Sequence, residues 1–549
     1  MKIRDRTYPK IDTSRRSTAF HHWIIFLCVL GTGSLLSAQV GPWIPLDTPD
    51  GEGNLANPAP SSNASFGFSL SLSVDRLAVG AFGDDEVYIF EIDPVSGLWQ
   101  PGQTTSSVAG QLPTLAGWFG WSVSLFGDAL AVGAPEDWPG GAPFSGSVHL
   151  YQRDLISGMW TLNQSIPNPD LGNYEEFGKS VSLWQDRLAI GAAGDISAPG
   201  MISGGSVTIF ERDPVTNQWI EAQLIPHPDP QEAAIFGETV SLYGDVLAIG
   251  APWQDGGPNG GVANAGNVYL FERDISDGQW NLITTIANPE PGEWEEFGRV
   301  VALDGNLLAI GVPLDESSAG IDGGSVYFYQ RDVSTGQWFP ADMGPLGGNL
   351  PGQVLGPNPS DVEGFGASVS LSDDLMVIGA NGIVVGGFDY AGGVYIYQRS
   401  AVSGPWQLMQ TIYDPDPQTF NMFSNSVEID ADVLVVAKAF DEIGSFVDTG
   451  SLYLYGPEGF FIRGDCNGDG AFNIADAIKL LSYLFSGGVL PACLDSCDGN
   501  DDGNLNLADA VTMLNELFLP GSPPIPAPDA VCSIDPTDDP LNCGDYDCP

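Results

Sequence analysis

Two twelve-residue stretches near the C-terminus place oxygen-bearing side chains at alternating positions, as a hard divalent cation requires. The first runs Asp465-Cys466-Asn467-Gly468-Asp469-Gly470-Ala471-Phe472-Asn473-Ile474-Ala475-Asp476. The second, 33 residues later, runs Asp498-Gly499-Asn500-Asp501-Asp502-Gly503-Asn504-Leu505-Asn506-Leu507-Ala508-Asp509. Oxygen side chains fall at positions 1, 3, 5, 9 and 12 of each loop, and position 7 offers its backbone carbonyl. Gly470 and Gly503 at position 6 allow the sharp turn where a Cβ would clash. Calcium takes about six to eight oxygens. The expected ligands are therefore Asp465, Asn467, Asp469, Ala471, Asn473 and Asp476 for one Ca2+, and Asp498, Asn500, Asp502, Asn504, Asn506 and Asp509 for a second. A single Asp/Asn/Gly cluster is an ordinary turn in an acidic chain. The agreement of both loops at every ligand position separates them from that reading.

Each loop runs into a helix with apolar spacing, Ala477–Phe485 and Ala510–Phe518, with Asp476 and Asp509 at the helix start, where negative charge is favoured. The pair resembles a type I dockerin, the calcium module that docks onto cohesin domains, over about residues 463–519. Like a dockerin, it carries Asp rather than Glu at position 12 and comes as a duplicate. The resemblance implies two Ca2+ sites and a cohesin-like or cell-surface protein as partner. It makes positions 10 and 11, Ile474-Ala475 and Leu507-Ala508, the partner contacts; their near identity implies docking in two orientations. Cys466 inside the first loop, a Cys-bearing linker and a Pro/Cys-rich tail over 521–549 depart from the family.

The rest of the chain is built to a different rule. Phe-Gly pairs stand at Phe66-Gly67, Phe119-Gly120, Phe177-Gly178, Phe236-Gly237, Phe297-Gly298 and Phe365-Gly366, with Phe423-Ser424 as a seventh. The intervals are 53, 58, 59, 61, 68 and 58 residues. Each copy holds four strand-like runs; in the second these are Gly120–Leu125, Leu130–Ala134, Gly146–Tyr151 and a run opening at Met159-Trp160, with Gly, Pro, Asn and Asp between them. No segment here shows a helical stripe. A repeat of this length with four strands predicts a propeller blade. One tryptophan per unit, at Trp43, Trp99, Trp160, Trp219, Trp280, Trp338 and Trp406, is offset from the Phe-Gly count. Trp43 precedes the first pair and none follows the seventh, so residues about 40–48 are expected to supply the outer strand of the last blade and close the ring.

The Phe-Gly…Gly-Ala-Pro pattern resembles the FG-GAP repeats of integrin α-chain propellers and many secreted bacterial proteins, over about three-quarters of the chain. Integrin-type blades often hold calcium in a long loop between the first two strands. Here that link is a short turn such as Phe126-Gly127-Asp128, too short to wrap a cation. The expected architecture is an all-β seven-bladed propeller over 39–456, followed by a small α-helical, dockerin- or EF-hand-like module over 460–520. The long links join the second and third strands, and variable loops on a fixed scaffold are where binding resides. Several begin with an acid, at Asp84, Asp137, Asp195, Asp255, Asp315 and Asp441. These either cap turns or ring one face as a cation or ligand site.

Residues 1–38 read as a signal peptide: a basic leader with Lys2, Arg4, Arg6, Lys10, Arg15 and Arg16, an apolar run from Trp23 to Leu30, and a small-residue site at Leu36-Ser37-Ala38. The apolar run is short for a membrane span; an uncleaved anchor is the alternative, and no other segment could cross a bilayer. The 549 residues carry a net charge of −52. Loss of the leader, with six basic and two acidic groups, brings this to about −56. Such a surface repels nucleic acid and anionic membranes and suits an extracellular or cell-surface setting. Cys28 leaves with the leader. Cys466, Cys493, Cys497, Cys532, Cys543 and Cys548 all follow the propeller region and read as disulfides with fifteen possible pairings. A zinc site is the alternative, but no histidine lies nearby.

Two functions compete. The first is a secreted, non-catalytic binding or scaffolding protein, with a propeller disc for an unknown protein or glycan and a calcium module for attachment. The second is a polysaccharide-active enzyme or a propeller lectin. Neither His149 nor His227 sits in a nucleophile motif, and no carboxylate pair stands out. Trp118, Trp121, Trp138, Trp253 and Trp294 could stack on sugar rings or fill contacts between blades.

Overall fold

The computed structural model describes residues 43–46, 53–73, 75–92, 99–106, 117–196, 203–256, 261–316, 322–357, 363–399, 405–430, 433–444, 446–457, 463–468, 472–491, 493–519 and 522–526. The expected signal peptide and most of the Pro/Cys-rich tail lie outside them.

The repeats form seven antiparallel sheets, each a blade of a β-propeller. Blade 2 shows the pattern: Ser122–Phe126, Ala129–Ala134, Ser147–Arg153 and Trp160–Pro167 pair in chain order. The second strand of a blade is the most apolar. Arg187–Ala192 and its equivalents are buried almost throughout, because each is covered on both faces by neighbouring blades.

The Phe-Gly and Gly-Ala motifs are two sides of one seam. All seven repeat phenylalanines are buried between blades, each contributing about 2–3 kcal/mol of apolar burial. Phe236, Phe297, Phe365 and Phe423 meet the edges of Tyr269, Tyr327, Tyr395 and Tyr453 at 5.4–5.6 Å. Gly178 has φ +93, and a Cβ there would lie 2.7 Å from the Ser147 carbonyl oxygen of the preceding blade. A Cβ on Gly133 would lie 2.0 Å from the Gly178 carbonyl oxygen. That carbonyl accepts the Ser122 hydroxyl at 2.8 Å. The backbones of adjacent blades therefore touch where the glycines stand, and Ser69, Ser180, Thr239 and Ser368 repeat the bond at other seams. Ser424 takes over the seventh position at φ +73.

The ring closes as the tryptophan phase requires. Trp43–Pro45 pairs antiparallel with Ser451–Pro457, Trp43 facing Pro457 and Pro45 facing Tyr455. A second segment, Asn54–Ala56, continues along the same strand, Asn54 facing Tyr453. The closing strand is thus split, which the sequence reading did not anticipate. Blade 5 repeats the device, with Trp338–Pro340 and Gln353–Leu355 both on Ser325–Arg331. Near the rim, Arg153 binds Glu91 and Arg273 binds Glu211 of the preceding blade at 2.9 Å, with Arg331 and Glu272 paired likewise.

After the propeller come two short helices, α1 (Ile474–Ser486) and α2 (Leu507–Phe518). Ala477, Leu480, Ala510, Met513 and Ile525 form their common core. A Cys466–Cys497 disulfide joins the starts of the two Asp-rich loops, its Cα atoms 4.6 Å apart. Cys493 is also disulfide-bonded. Among the described residues, no helix is long and apolar enough to cross a membrane.

Candidate functional site

The second Asp-rich loop brings its expected ligands together. Carboxylate oxygens of Asp498, Asp502 and Asp509 lie within 4.8 Å of one another. Backbone N–H groups hold two of them in place: Gly503 donates to Asp498 at 2.7 Å, and Asn504 donates to Asp502 at 3.0 Å. Asp509 Oδ2 accepts the Asn506 N–H at 2.7 Å. Its other oxygen, Oδ1, is buried and has no hydrogen-bond partner, and neither has Asn500 Oδ1. Burial, and then the adjoining Asp498, raise the pKa of Asp509 above the carboxylate range. Two orphaned oxygens at positions 3 and 12, facing an all-oxygen donor set, fit a hard cation.

Position 9 has a different job. Asn506 Oδ1 caps α2 by accepting the Ala508 N–H at 2.8 Å. Asn473 does the same for α1 with Ala475 at 2.9 Å. With that oxygen engaged, position 9 fits contact through water, as it often does in such loops. Both helices carry full capping boxes, closed by Asp476 and Asp509. The position-12 residue is thus helix cap and expected ligand at once. In the first loop, Asp476 accepts the N–H groups of Asn467 at 3.1 Å and Asn473 at 2.8 Å, and Asp465 is buried. Asp469, Gly470 and Ala471 lie outside the described residues.

Arg463, which the sequence reading passed over, anchors the second loop from just ahead of the first. Its guanidinium is fully buried, 3.0 Å from Asp495 and 2.9 Å from Asp501, and it donates to the Asp498 carbonyl at 3.0 Å. The expected partner contacts Ile474, Ala475, Leu507 and Ala508 are all exposed. They are extended by two further exposed pairs at matching helix positions, Ile478 with Val511 and Phe485 with Phe518. The duplication visible at Ile474 and Leu507, followed four and eleven residues onward, marks these pairs.

On the propeller, the loop acids hold their own loops. Asp137 and Asp441 accept the hydroxyls of Ser147 and Ser451, each ten residues on, at 2.6 and 2.7 Å. Asp315 and Ser325 pair the same way. Asp255 accepts the Asn264 N–H within its loop, whereas Asp84 accepts the hydroxyl of Ser61 from the link that enters blade 1. Asp195 does more, since its carboxylate lies within 4.8 Å of those of Asp170 and Glu175 at the seam of blades 2 and 3. Burial raises the pKa of both Glu175 and Asp195. At the seam of blades 6 and 7 the matching acids enclose a cation of the chain itself: the buried Lys438 ammonium lies 3.2 Å from both Asp414 and Asp441.

His149 and His227 are buried and built into the fold. His149 stands edge-on to Phe119 at 5.5 Å, where other blades place tyrosine, and contacts the hydroxyls of Ser147 and Ser165. His227 lies 3.0 Å from Gln254. Burial pushes each down to about 4. Trp118 and Trp121 stack on one another at 4.8 Å, and the Lys179 ammonium caps Trp121 at 4.6 Å. Around the central axis, a cavity of about 230 Å³ is lined by hydroxyls of Ser71, Ser124, Ser182, Ser241 and Ser370. Each accepts an N–H from the next blade, and Glu428 replaces the hydroxyl in blade 7.

The model of the FG-GAP repeat family matches residues 116–151 and 219–271. No curated protein matches the chain. Among solved structures, Sqt1 of Saccharomyces cerevisiae is 14% identical, covering 70% of this chain and 81% of its own, with a TM-score of 0.37. A protein from Lactobacillus plantarum is also 14% identical, covering 66% and 88%, with a TM-score of 0.39.

Proposed function

We propose that the chain is a secreted or cell-surface, non-catalytic binding and scaffolding protein. The propeller serves as a rigid interaction disc, and the twin-helix module serves as a calcium-dependent, dockerin-like attachment unit. The observation that carries this reading is the second Asp-rich loop, where the buried oxygens of Asn500 and Asp509 lack partners beside Asp498 and Asp502. Leaving such groups unpaired costs about 1–3 kcal/mol each, and a bound Ca2+ removes that cost. In the second site, Asp498, Asn500, Asp502, the Asn504 carbonyl and Asp509 would hold the ion, with Asn506 reaching it through water. The ion supplies rigidity rather than chemistry. It fixes the loops against α1 and α2, so that Ile474, Ala475, Leu507 and Ala508 stand at set positions for a cohesin-like or cell-surface partner. FG-GAP repeats are typical of extracellular proteins, and the acidic surface agrees with that location.

Calorimetry of the full chain tests the reading. With calcium we expect two transitions. A chelator should abolish the one belonging to residues 460–520 and leave the propeller's in place. Asp509→Ala should reproduce the chelated trace. A trace that ignores the chelator refutes the metal assignment.

A further inference from the structure

The links from the last strand of one blade to the first strand of the next carry a second repeat, with a period of two blades. Three of them read Asn168-Pro169-Asp170 with Tyr174, Asn288-Pro289-Glu290 with Trp294, and Asp414-Pro415-Asp416 with Phe420. In each, the leading Asn or Asp is buried, and its Oδ1 accepts the N–H of the acid two residues on. The aromatic residue follows four positions after that acid, in the left-handed backbone region, with φ 62°, 67° and 68°. Its ring is exposed by 62% in Tyr174, 58% in Trp294 and 57% in Phe420. The backbone N–H groups of the three donate to Pro143, Ala263 and Asp389, carbonyls in links between second and third strands. All three rings therefore stand at the loop face. Phe144 stacks behind Tyr174 at 5.3 Å, and Tyr390 behind Phe420 at 5.1 Å.

The fold does not require these rings. At two other links the same left-handed position holds Asn63 and Ala233. A bulky residue with positive φ is strained, and such strain gathers at functional sites. Three copies of one small platform on a rigid face suit a ligand that itself repeats. Charge narrows the class. The basic groups near these links are already engaged, Lys179 by Glu176, Arg299 by Glu296 and Lys438 by Asp414 and Asp441. With a net charge of −52, the chain repels a polyanion. An exposed ring four residues from an exposed carboxylate on the same link suits a neutral sugar, whose C–H face would lie on the ring while its hydroxyls donate to the acid.

We propose that Tyr174, Trp294 and Phe420, with Asp170, Glu290 and Asp416, form a three-point binding face for a neutral polysaccharide. This rests on the reading of the propeller as an interaction disc. Native gels cast with galactomannan, mixed-linkage glucan or xylan, and with the carboxymethylated form of each, test it on the full chain in calcium. At least one neutral polymer should retard the protein at low and at high salt, and its carboxymethylated form should retard it less. Single alanine variants at the three rings should each weaken retardation about two- to tenfold. The triple variant should migrate as in a blank gel, and Ala233 shows that the fold accepts alanine at this position. Phe339→Ala, an exposed ring on the outer strand of blade 5, should change nothing. Migration unaffected by every neutral polymer overturns the ligand class. Retardation that survives in the triple variant overturns the site while keeping the disc as a binding module. Capture of a basic protein instead, lost at high salt, also overturns the proposal; none of these outcomes touches the calcium-dependent module.

Discussion

At the scale of single residues, His149 is an ionisable group packed into a strand of the fold. It occupies the inner position of a third strand, where Tyr88, Tyr269, Tyr327, Tyr395 and Tyr453 stand in other blades. Burial lowers its pKa to about 4 from an ordinary 6.5. The unfolded chain therefore binds a proton that the folded chain does not, and stability present above pH 6.5 is lost as the pH falls toward 4. The loss is on the order of 3 kcal/mol for a fully buried ring. His149→Tyr should keep the neutral-pH melting temperature and flatten its decline below pH 6.5, as read from melting curves across that range. An unchanged acid limb would place the sensitivity elsewhere. Glu428 has the opposite sign. Burial raises its pKa to about 8 from 4.5, so charging it weakens the fold as the pH climbs through that interval. Neither environment was legible beforehand, because the partners that surround these side chains, Phe119 and Ser165 for His149 and Ser370 for Glu428, are brought up by strand pairing and blade packing rather than by local spacing.

At the scale of elements, the strands and the two helices were legible and their connections only partly so. The Phe-Gly pairs, the small apolar second strands and the tryptophans each follow from local spacing, and in the structure every outer strand opens at its tryptophan. The split of two outer strands was not legible. Trp338–Pro340 ends at a proline, which cannot donate to the ladder, and the chain makes an excursion before Gln353–Leu355 resumes the pairing. The convergence of Asp498, Asp502 and Asp509 was legible because their alternating spacing lies within one twelve-residue loop. Arg463 was not, since its partners Asp495 and Asp501 lie far along the chain. Arg463→Met would leave those two acids without their countercharge in a buried site. It should lower the stability of the twin-helix module by about 3–5 kcal/mol, seen as an earlier module transition in calcium, with the propeller transition unmoved. Arg463→Lys should recover little, because one ammonium cannot serve two carboxylates and a carbonyl in the geometry of a guanidinium.

At the scale of the whole molecule, stability depends on a closed circle of seams. Among the described residues, a buried repeat phenylalanine stands at all seven, Ser- or Thr-to-carbonyl bonds at five and rim Arg–Glu pairs at three, and the closing strand adds its own contact in blade 7. Trp43 is buried there and exchanges hydrogen bonds with Gln410 of blade 6, at 2.6 Å from its N–H and 2.9 Å to its carbonyl. A chain lacking residues 39–57 would leave Ser451–Pro457 with a bare edge. We expect it to melt earlier and to self-associate through that edge in light scattering, and a peptide spanning 39–57 should reverse both effects. A monomeric, equally stable truncation would show that six blades and a three-stranded seventh suffice.

The pairing of Trp43–Pro45 and Asn54–Ala56 with Ser451–Pro457 also dictates a timetable. The segment that completes the last blade is synthesised some 400 residues before its partner. Until then it must wait unpaired, at a loop-closure cost that slows folding. Maturation of this disc is therefore a single late event, and an interrupted translation product would have no half-finished version of it to use.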